Sequence, residues 1–370
     1  MQRIDHPLPW TPCGNSRQLS VLRFGSGSKK AYVQASLHAD ELPGMRVAVE
    51  LKRRLLELES SGRLNAVIEL VPVANPIGLG QLFQAVAQGR FEFASGKNFN
   101  RDFVDLAAAV APALEGQLGA DAAQNVQRIR AAMRDALDGL PAPTCELQGM
   151  QRLLLRHACD ADVVLDLHCD FEAAVHLYGA PQQWPQLRSL AARLRAGAVL
   201  LAEDSGGSSF DEACSTPWQR LRQHFPQADI PLACLATTVE LGGMADTERD
   251  LAEASAEAIL AFLAEQGLIA GDWPAAPQTC CEATPFAGAE YVMAPHTGVV
   301  SFFKQPGDRV EAGEALFEVI DPLDDRHSIV RARSSGVLYA RERMRYARPG
   351  LWLVKIAGAT PIRQGRLLSD

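Results

Sequence analysis

Two hydrophobic textures divide the chain. Up to about residue 270, apolar runs of strand length alternate with longer stretches whose apolar residues recur every three or four positions, the mark of strands and helices interleaved in an open α/β sheet. Residues 18–36 read as a strand pair turned by Gly25-Ser26-Gly27-Ser28. PGMRVAVELKRRLLELE then predicts a helix with Val47, Val49, Leu51, Leu55 and Leu56 on its apolar side. AVIELVPVANPIG is a strand that ends in a shaped loop at Asn75-Pro76 and Gly78. Residues 104–158 are alanine-rich and helical, with breaks at Gly116–Gly119 and at Gly139-Leu140-Pro141. Strands follow at VVLDL, AAVHLYG, AVLLAED and LACLATTVELGG, and helices at WPQLRSLAARLRAG and ERDLAEASAEAILAFLAEQG. SGGSSFDEACSTPW, between two of these, reads either as a mobile lip over a pocket or, equally, as a plain surface loop. Beyond a Pro- and Ala-rich linker the texture changes to short strands and turns. The pattern predicts an α/β domain over 1–270, a linker over 271–285, and a small all-β domain over 286–370.

Composition narrows the partners. A formal net charge of −8 argues against nucleic acid or an anionic membrane as partner, although a local arginine cluster still permits an anionic small substrate. No apolar run approaches the roughly 18 residues that span a bilayer. The N-terminus MQRIDHPLPWTPCGN lacks the apolar region of a secretory signal. The eight cysteines contain no C-x-x-C, so they are expected as reduced thiols in a cytoplasmic protein.

Candidate chemistry clusters at strand ends. SLHADELPG closes one strand and opens a helix, and sets His38 and Glu41 three residues apart, close enough to reach one cation. In DADVVLDLHCD, the period of two places Asp166 and His168 on one face. His168 there suits a third metal ligand with Asp166 fixing its ring tautomer, or else a core histidine satisfied by that carboxylate. Glu240 ends an apolar strand before Gly242-Gly243, where packing gives it no purpose, and is a candidate general base. GRFEFASGKNFNRDF reads either as a plain polar loop or as a clasp, in which Phe99 and Phe103 anchor the loop while Asn100 and Arg101 face a carboxylate.

Taken in order, SLHADE, KNFNRDF, DLHCD and TVELGG resemble the succinylglutamate desuccinylase/aspartoacylase family, related to the zinc carboxypeptidases, over roughly residues 15–270. The resemblance implies a mixed central sheet flanked by helices and one zinc ion held by His38, Glu41 and His168. It implies Glu240 as general base, Arg90 beside the developing oxyanion, and Asn100 with Arg101 on a substrate carboxylate. Where that family commonly has Asp two residues before the Asn-Arg pair, this chain has Asn98, so the buttress behind His38 is expected to be weaker. The C-terminal segment, notably APHTGVVSFFKQPGDRVEAGEALFEV, resembles the biotinyl/lipoyl-type hammerhead, but DPLDDRHS at the carrier turn has no lysine. It is expected to narrow the cleft or to form a contact between copies of the chain.

The resemblance implies a zinc-dependent amidohydrolase that removes an N-acyl group from a small amino acid. Rival readings are a carboxypeptidase acting on short peptides, a non-catalytic scaffold that kept the fold, and a cysteine hydrolase using Cys169. The last is disfavoured because in a strand Cys169 points away from its neighbour His168.

Overall fold

The computed structural model describes residues 1–368. The chain opens with strands β1 (Gln2–Pro7), β2 (Gln18–Phe24) and β3 (Lys30–Ala35), then crosses by helix α1 (Leu42–Ser60) to β4 (Val67–Val71). A single-turn helix α2 (Pro76–Leu79) and a small hairpin of β5 (Leu82–Phe83) and β6 (Val86–Ala87) follow. Helices α3 (Leu106–Leu114), α4 (Ala122–Asp138) and α5 (Glu146–Ala158) lead to β7 (Val163–Asp170), β8 (Glu172–Ala173) and β9 (His176–Gly179). Next come α6 (Trp184–Arg193), β10 (Ala198–Leu201), α7 (Phe210–His224), β11 (Leu235–Gly243), α8 (Arg249–Glu265) and β12 (Ala283–Pro285). The C-terminal strands are β13 (Ala289–Met293), β14 (Gly298–Phe302), β15 (Arg309–Val310), β16 (Ala315–Ile320), β17 (His327–Arg331), β18 (Gly336–Arg341), β19 (Tyr346–Ala347) and β20 (Trp352–Gly358).

Nine strands form one mixed sheet in the order β1-β2-β4-β3-β7-β11-β9-β10-β12. The central strands β4, β3, β7 and β11 run parallel, and alternate residues feed two separate cores. Val33, Leu165 and Val239 pack with α1, α6 and α8, whereas Tyr32, Val164 and Ala236 pack on the opposite face with α3, α4, α5 and α7. On that second face, the even-numbered positions near the carboxyl ends are polar. Gln34 is level with Asp166, Asp166 with Thr238, and His168 with Glu240. The site therefore sits where parallel strands end in an open sheet.

Several expectations are corrected. β2 and β3 do not form a hairpin: β4 lies between them, and β2 pairs instead with β4 and with β1. The expected lip loop is half helix, because α7 starts at Phe210 and buries Phe210, Cys214, Pro217, Trp218 and Leu221 at helical spacing. Pro217 reads as a breaker but is carried inside the helix. On α1, Val49 and Leu56 face solvent, and Ala48 and Leu58 take their places in the core.

The C-terminal strands build a sheet ordered β13-β20-β18-β15 and another ordered β17-β16-β14-β19. They are joined to the large sheet through β8, which continues almost directly from β7 and pairs with β18. Beside that pairing, Glu172 accepts from Arg341 at 2.6 Å and from Arg345 at 2.6 Å. Lys355 of β20 donates to Asp170 at 2.6 Å.

α1 presses close behind β7. A Cβ added at Gly44 would meet the Leu167 carbonyl oxygen at 2.9 Å and the Ala35 Cβ at 3.2 Å. Alanine gains up to about 1 kcal/mol of helix propensity over glycine, but overpacking against a fixed backbone costs about 1–3 kcal/mol. Gly44→Ala should therefore lower the urea midpoint. An equal or higher midpoint would mean that the helix moves away without cost.

Candidate active site

Ser36 ends β3 in the left-handed region, at φ 59°, and turns the chain so that the next residues cross the end of β7. The turn is tied from three sides. Ser36 Oγ donates to the Glu41 carbonyl at 2.7 Å, Asn75 Nδ2 donates to the Leu37 carbonyl at 2.9 Å, and the Ala39 amide donates to the Gly89 carbonyl at 3.0 Å. Gly89 is required there, because a Cβ would lie 2.1 Å from the Asp40 amide nitrogen. Glu41 then stands at the N-terminus of α1, where a carboxylate is favoured by the helix dipole.

These constraints gather His38, Glu41 and His168, all buried. Glu41 Oε1 lies 2.8 Å from His38 Nδ1, and Oε2 lies 2.7 Å from His168 Nδ1. The Cys169 amide also points at Oε2, at 3.2 Å. One ligand atom from each of the three residues falls within 4.8 Å of the others. The outer nitrogens are backed as well. His38 Nε2 is 2.9 Å from Asn98 Oδ1, and His168 Nε2 is 2.9 Å from Asp166 Oδ2, without hydrogen-bond alignment. Asp166 is itself held by Gln34, which Tyr32 holds in turn. With both Nε2 atoms facing oxygen acceptors, both Nδ1 lone pairs turn inward, the arrangement a metal requires of its imidazoles. This donor set fits a metal ion.

The electrostatics agree. Burial and the Arg90 guanidinium push His38 down to about 4, so its ring is neutral. His168 is also disfavoured by burial as a cation, yet Asp166 and Glu41 hold it well above the usual histidine range. Positive charge is thus favoured at the point between Glu41 and His168. Arg90 lies 3.3 Å from His38 Nδ1 and 3.7 Å from Glu41 Oε1, so the structure brings it to the trio.

Glu240 lines the same cavity one strand away from His168. Burial and the nearby Glu41 carboxylate push its carboxyl up to about 8. Asn100 and Arg101 line the cavity too, on the loop expected as a clasp. Asn100 Oδ1 accepts the Phe210 amide at the start of α7, at 2.8 Å, and the Arg101 side chain donates to the Asn100 carbonyl at 2.7 Å. Burial, with Arg90 and Arg366 nearby, lowers Arg101 to about 10, an environment that an anion would relieve. Cys169 is buried, and burial with the Glu41 and Glu240 carboxylates drives its thiol far above the usual range, which removes it as a nucleophile.

The cavity has a volume of about 310 Å³. Its far wall comes from the C-terminal part of the chain, expected either to narrow the cleft or to form a contact between copies, through Tyr291, Glu342, Trp352 and Lys355, residues not singled out from the sequence. One signal was available, since Lys355 interrupts the apolar strand WLVKIAG much as Glu240 interrupts its own.

Residues 28–266, well over half of the chain, match the family model of the succinylglutamate desuccinylase/aspartoacylase catalytic domain. The chain belongs to this family. It is accordingly a hydrolase. Among solved structures it resembles a succinylglutamate desuccinylase/aspartoacylase family protein of Shewanella amazonensis SB2B, with 25% identity, TM-score 0.82, and coverage of 96% of this chain and 98% of that one. A protein of the same description from Shewanella frigidimarina NCIMB 400 superposes with TM-score 0.84 at 21% identity, covering 96% and 97%. The ectoine utilization protein EutE (DoeB) of Ruegeria pomeroyi shares the fold at 16% identity and TM-score 0.68, covering 97% and 95%. Among curated proteins, bacteriocin BCN5 of Clostridium perfringens is 29% identical over 114 residues, 27% of this chain and only 13% of that protein's length.

Two substitutions test the trio. His168→Ala should lose stoichiometric zinc in elemental analysis; full occupancy would place the third ligand elsewhere. Asn98→Asp puts a charge behind His38 and should tighten zinc on the order of tenfold in chelator competition. Unchanged affinity would show that the amide supports the ring as well as a carboxylate does.

Proposed function

We propose that this hydrolase is a zinc-dependent amidohydrolase that removes an N-acyl group from a small amino acid or related carboxylate. The observation that carries the reading is the buried His38–Glu41–His168 trio with Glu240 on the adjacent strand, inside one cavity with Arg101. His38 and His168 would hold the ion through Nδ1 and Glu41 through its carboxylate. Bound there, zinc supplies Lewis acidity that polarises the scissile carbonyl and the attacking water.

The chain's own groups then divide the work. Glu240, with a raised affinity for protons, takes one from the attacking water and later delivers it to the departing nitrogen. Arg90, poised at the edge of the trio, faces the negative charge that develops on the carbonyl oxygen. Arg101 and Asn100 hold the carboxylate of the amino-acid half, fixing the distance from that charge to the bond being cut.

The C-terminal wall favours a small substrate over a peptide. A volume of about 310 Å³ lies at the small end of the range for small-molecule sites, the scale of an acyl amino acid rather than of an extended peptide. Glu240 beside a complete ligand trio counts against an inactive scaffold, which has no need of both.

Zinc-loaded protein should release free amine from a panel of N-acyl amino acids, and a chelator should abolish the release. Glu240→Gln should keep its zinc while turnover falls by about two to four powers of ten. Near-normal turnover in that variant would remove Glu240 from the mechanism.

A further inference from the structure

One end of the cavity is lined by aromatic and aliphatic side chains. Phe171 and Met244, just beyond the His168 and Glu240 strands, face Tyr291, Leu351 and Trp352 from the C-terminal part of the chain. Phe171 and Trp352 stack nearly parallel, with ring centres 5.6 Å apart and planes 12° from one another. All five side chains are half-buried, so apolar surface remains on residues that line the cavity.

The lysine that lines this end is already paired. Lys355, the lining cation here, gives its ammonium to Asp170 at 2.6 Å and lies 4.0 Å from the Trp352 ring centre. Glu342 lines the cavity as well, and burial raises its carboxyl. Arg343 lies 5.5 Å from the Phe171 ring but does not line the cavity. An entering carboxylate would meet Glu342 and Glu240 with Lys355 already paired and Arg363 outside the lining, 4.1 Å from the Tyr291 ring centre; at the other end Arg101 has Arg90 and Arg366 for neighbours, together with Asp211 and Glu212.

We propose that this apolar end is the acyl subsite, and that it takes an uncharged, apolar acyl group of butyryl to benzoyl size rather than a dicarboxylic one. The inference rests on the amidohydrolase reading, with the amino-acid carboxylate at Arg101. Trp352, Leu351 and Tyr291 then make the C-terminal part of the chain a determinant of acyl specificity. Stacking an acyl group against the Phe171–Trp352 pair removes apolar surface from water on both partners, and each added methylene in such a pocket is worth about 10- to 200-fold in discrimination.

The test uses the full zinc-loaded chain and acetyl, butyryl, benzoyl and succinyl derivatives of one amino acid. The expected kcat/KM for butyryl or benzoyl exceeds that for succinyl by about tenfold or more. Trp352→Ala should reduce the benzoyl-to-acetyl ratio by about tenfold. Met244→Glu, which leaves the aromatic stack intact, should do the same and reports if the tryptophan variant fails to fold. Calorimetry on Glu240→Gln should find the benzoyl compound bound more tightly than the succinyl one, independently of turnover. A preference for succinyl, or ratios unchanged in both folded variants, overturns the subsite. Hydrolysis of the acetyl compound with no preference among the others overturns the subsite and leaves the amidohydrolase standing. Hydrolysis of none overturns both.

Discussion

A single buried carboxylate sets the terms for this molecule. Glu41 lies between two imidazole nitrogens at 2.8 Å and 2.7 Å, almost out of contact with water. Burying an anion there is costly unless positive charge stands beside it. The surrounding structure supplies that charge in steps. Helix α1 begins at Glu41, the Cys169 amide points at it, Arg90 approaches its edge, and His168 gains a strong hold on a proton. The same arrangement would welcome a divalent cation in place of the proton. Behind it runs a buried line from Tyr32 through Gln34 and Asp166 to His168, and on the other side from His38 to Asn98. Each member fixes the orientation of the next, so the trio inherits its geometry from the register of β3 against β7.

Arg101 and Glu240 reach the cavity by different routes. Glu240 arrives through sheet register alone, since a parallel strand level with His168 presents its side chain on the same face. Arg101 depends on a loop pinned to the start of α7, where Asn100 accepts the Phe210 amide. On the proposed reading, the rigid sheet would carry the chemistry and the pinned loop the recognition, a division common where binding residues ride on loops above a scaffold.

The central site was legible because its residues break local rules. A glutamate closing an apolar strand, or a histidine and a carboxylate alternating at the end of one, has no reason of packing to be there. Position along a strand also settled which of them share a face. The pairing of strands was less legible. Residues 18–36 contain two good strands, but nothing in their own pattern says that β4 inserts between them, because partner choice depends on sequence tens of residues away. α7 was obscured by Pro217, although Phe210, Cys214, Trp218 and Leu221 already marked a helical stripe. The far wall of the cavity was hidden by distance: Lys355 meets a partner 185 positions earlier in the chain. The composition of its strand could flag it as unusual, but could not say what it touches.

The passage from β7 to β8 gives the protein a direction in time. Synthesis delivers His38, Glu41, His168 and Glu240 in that order, and the large sheet can form around them as they emerge. The strand that follows His168 nevertheless has its partner in β18, and Asp170 has its partner in β20, both far later along the chain. Until the ribosome reaches them, a buried aspartate and a strand edge directly beside the trio have no mates. The nascent chain thus acquires the trio early and its enclosed chamber late. A nascent chain that has passed β11 but not β20 would hold the trio in an open groove, and β18 and β20 convert that groove into a cavity.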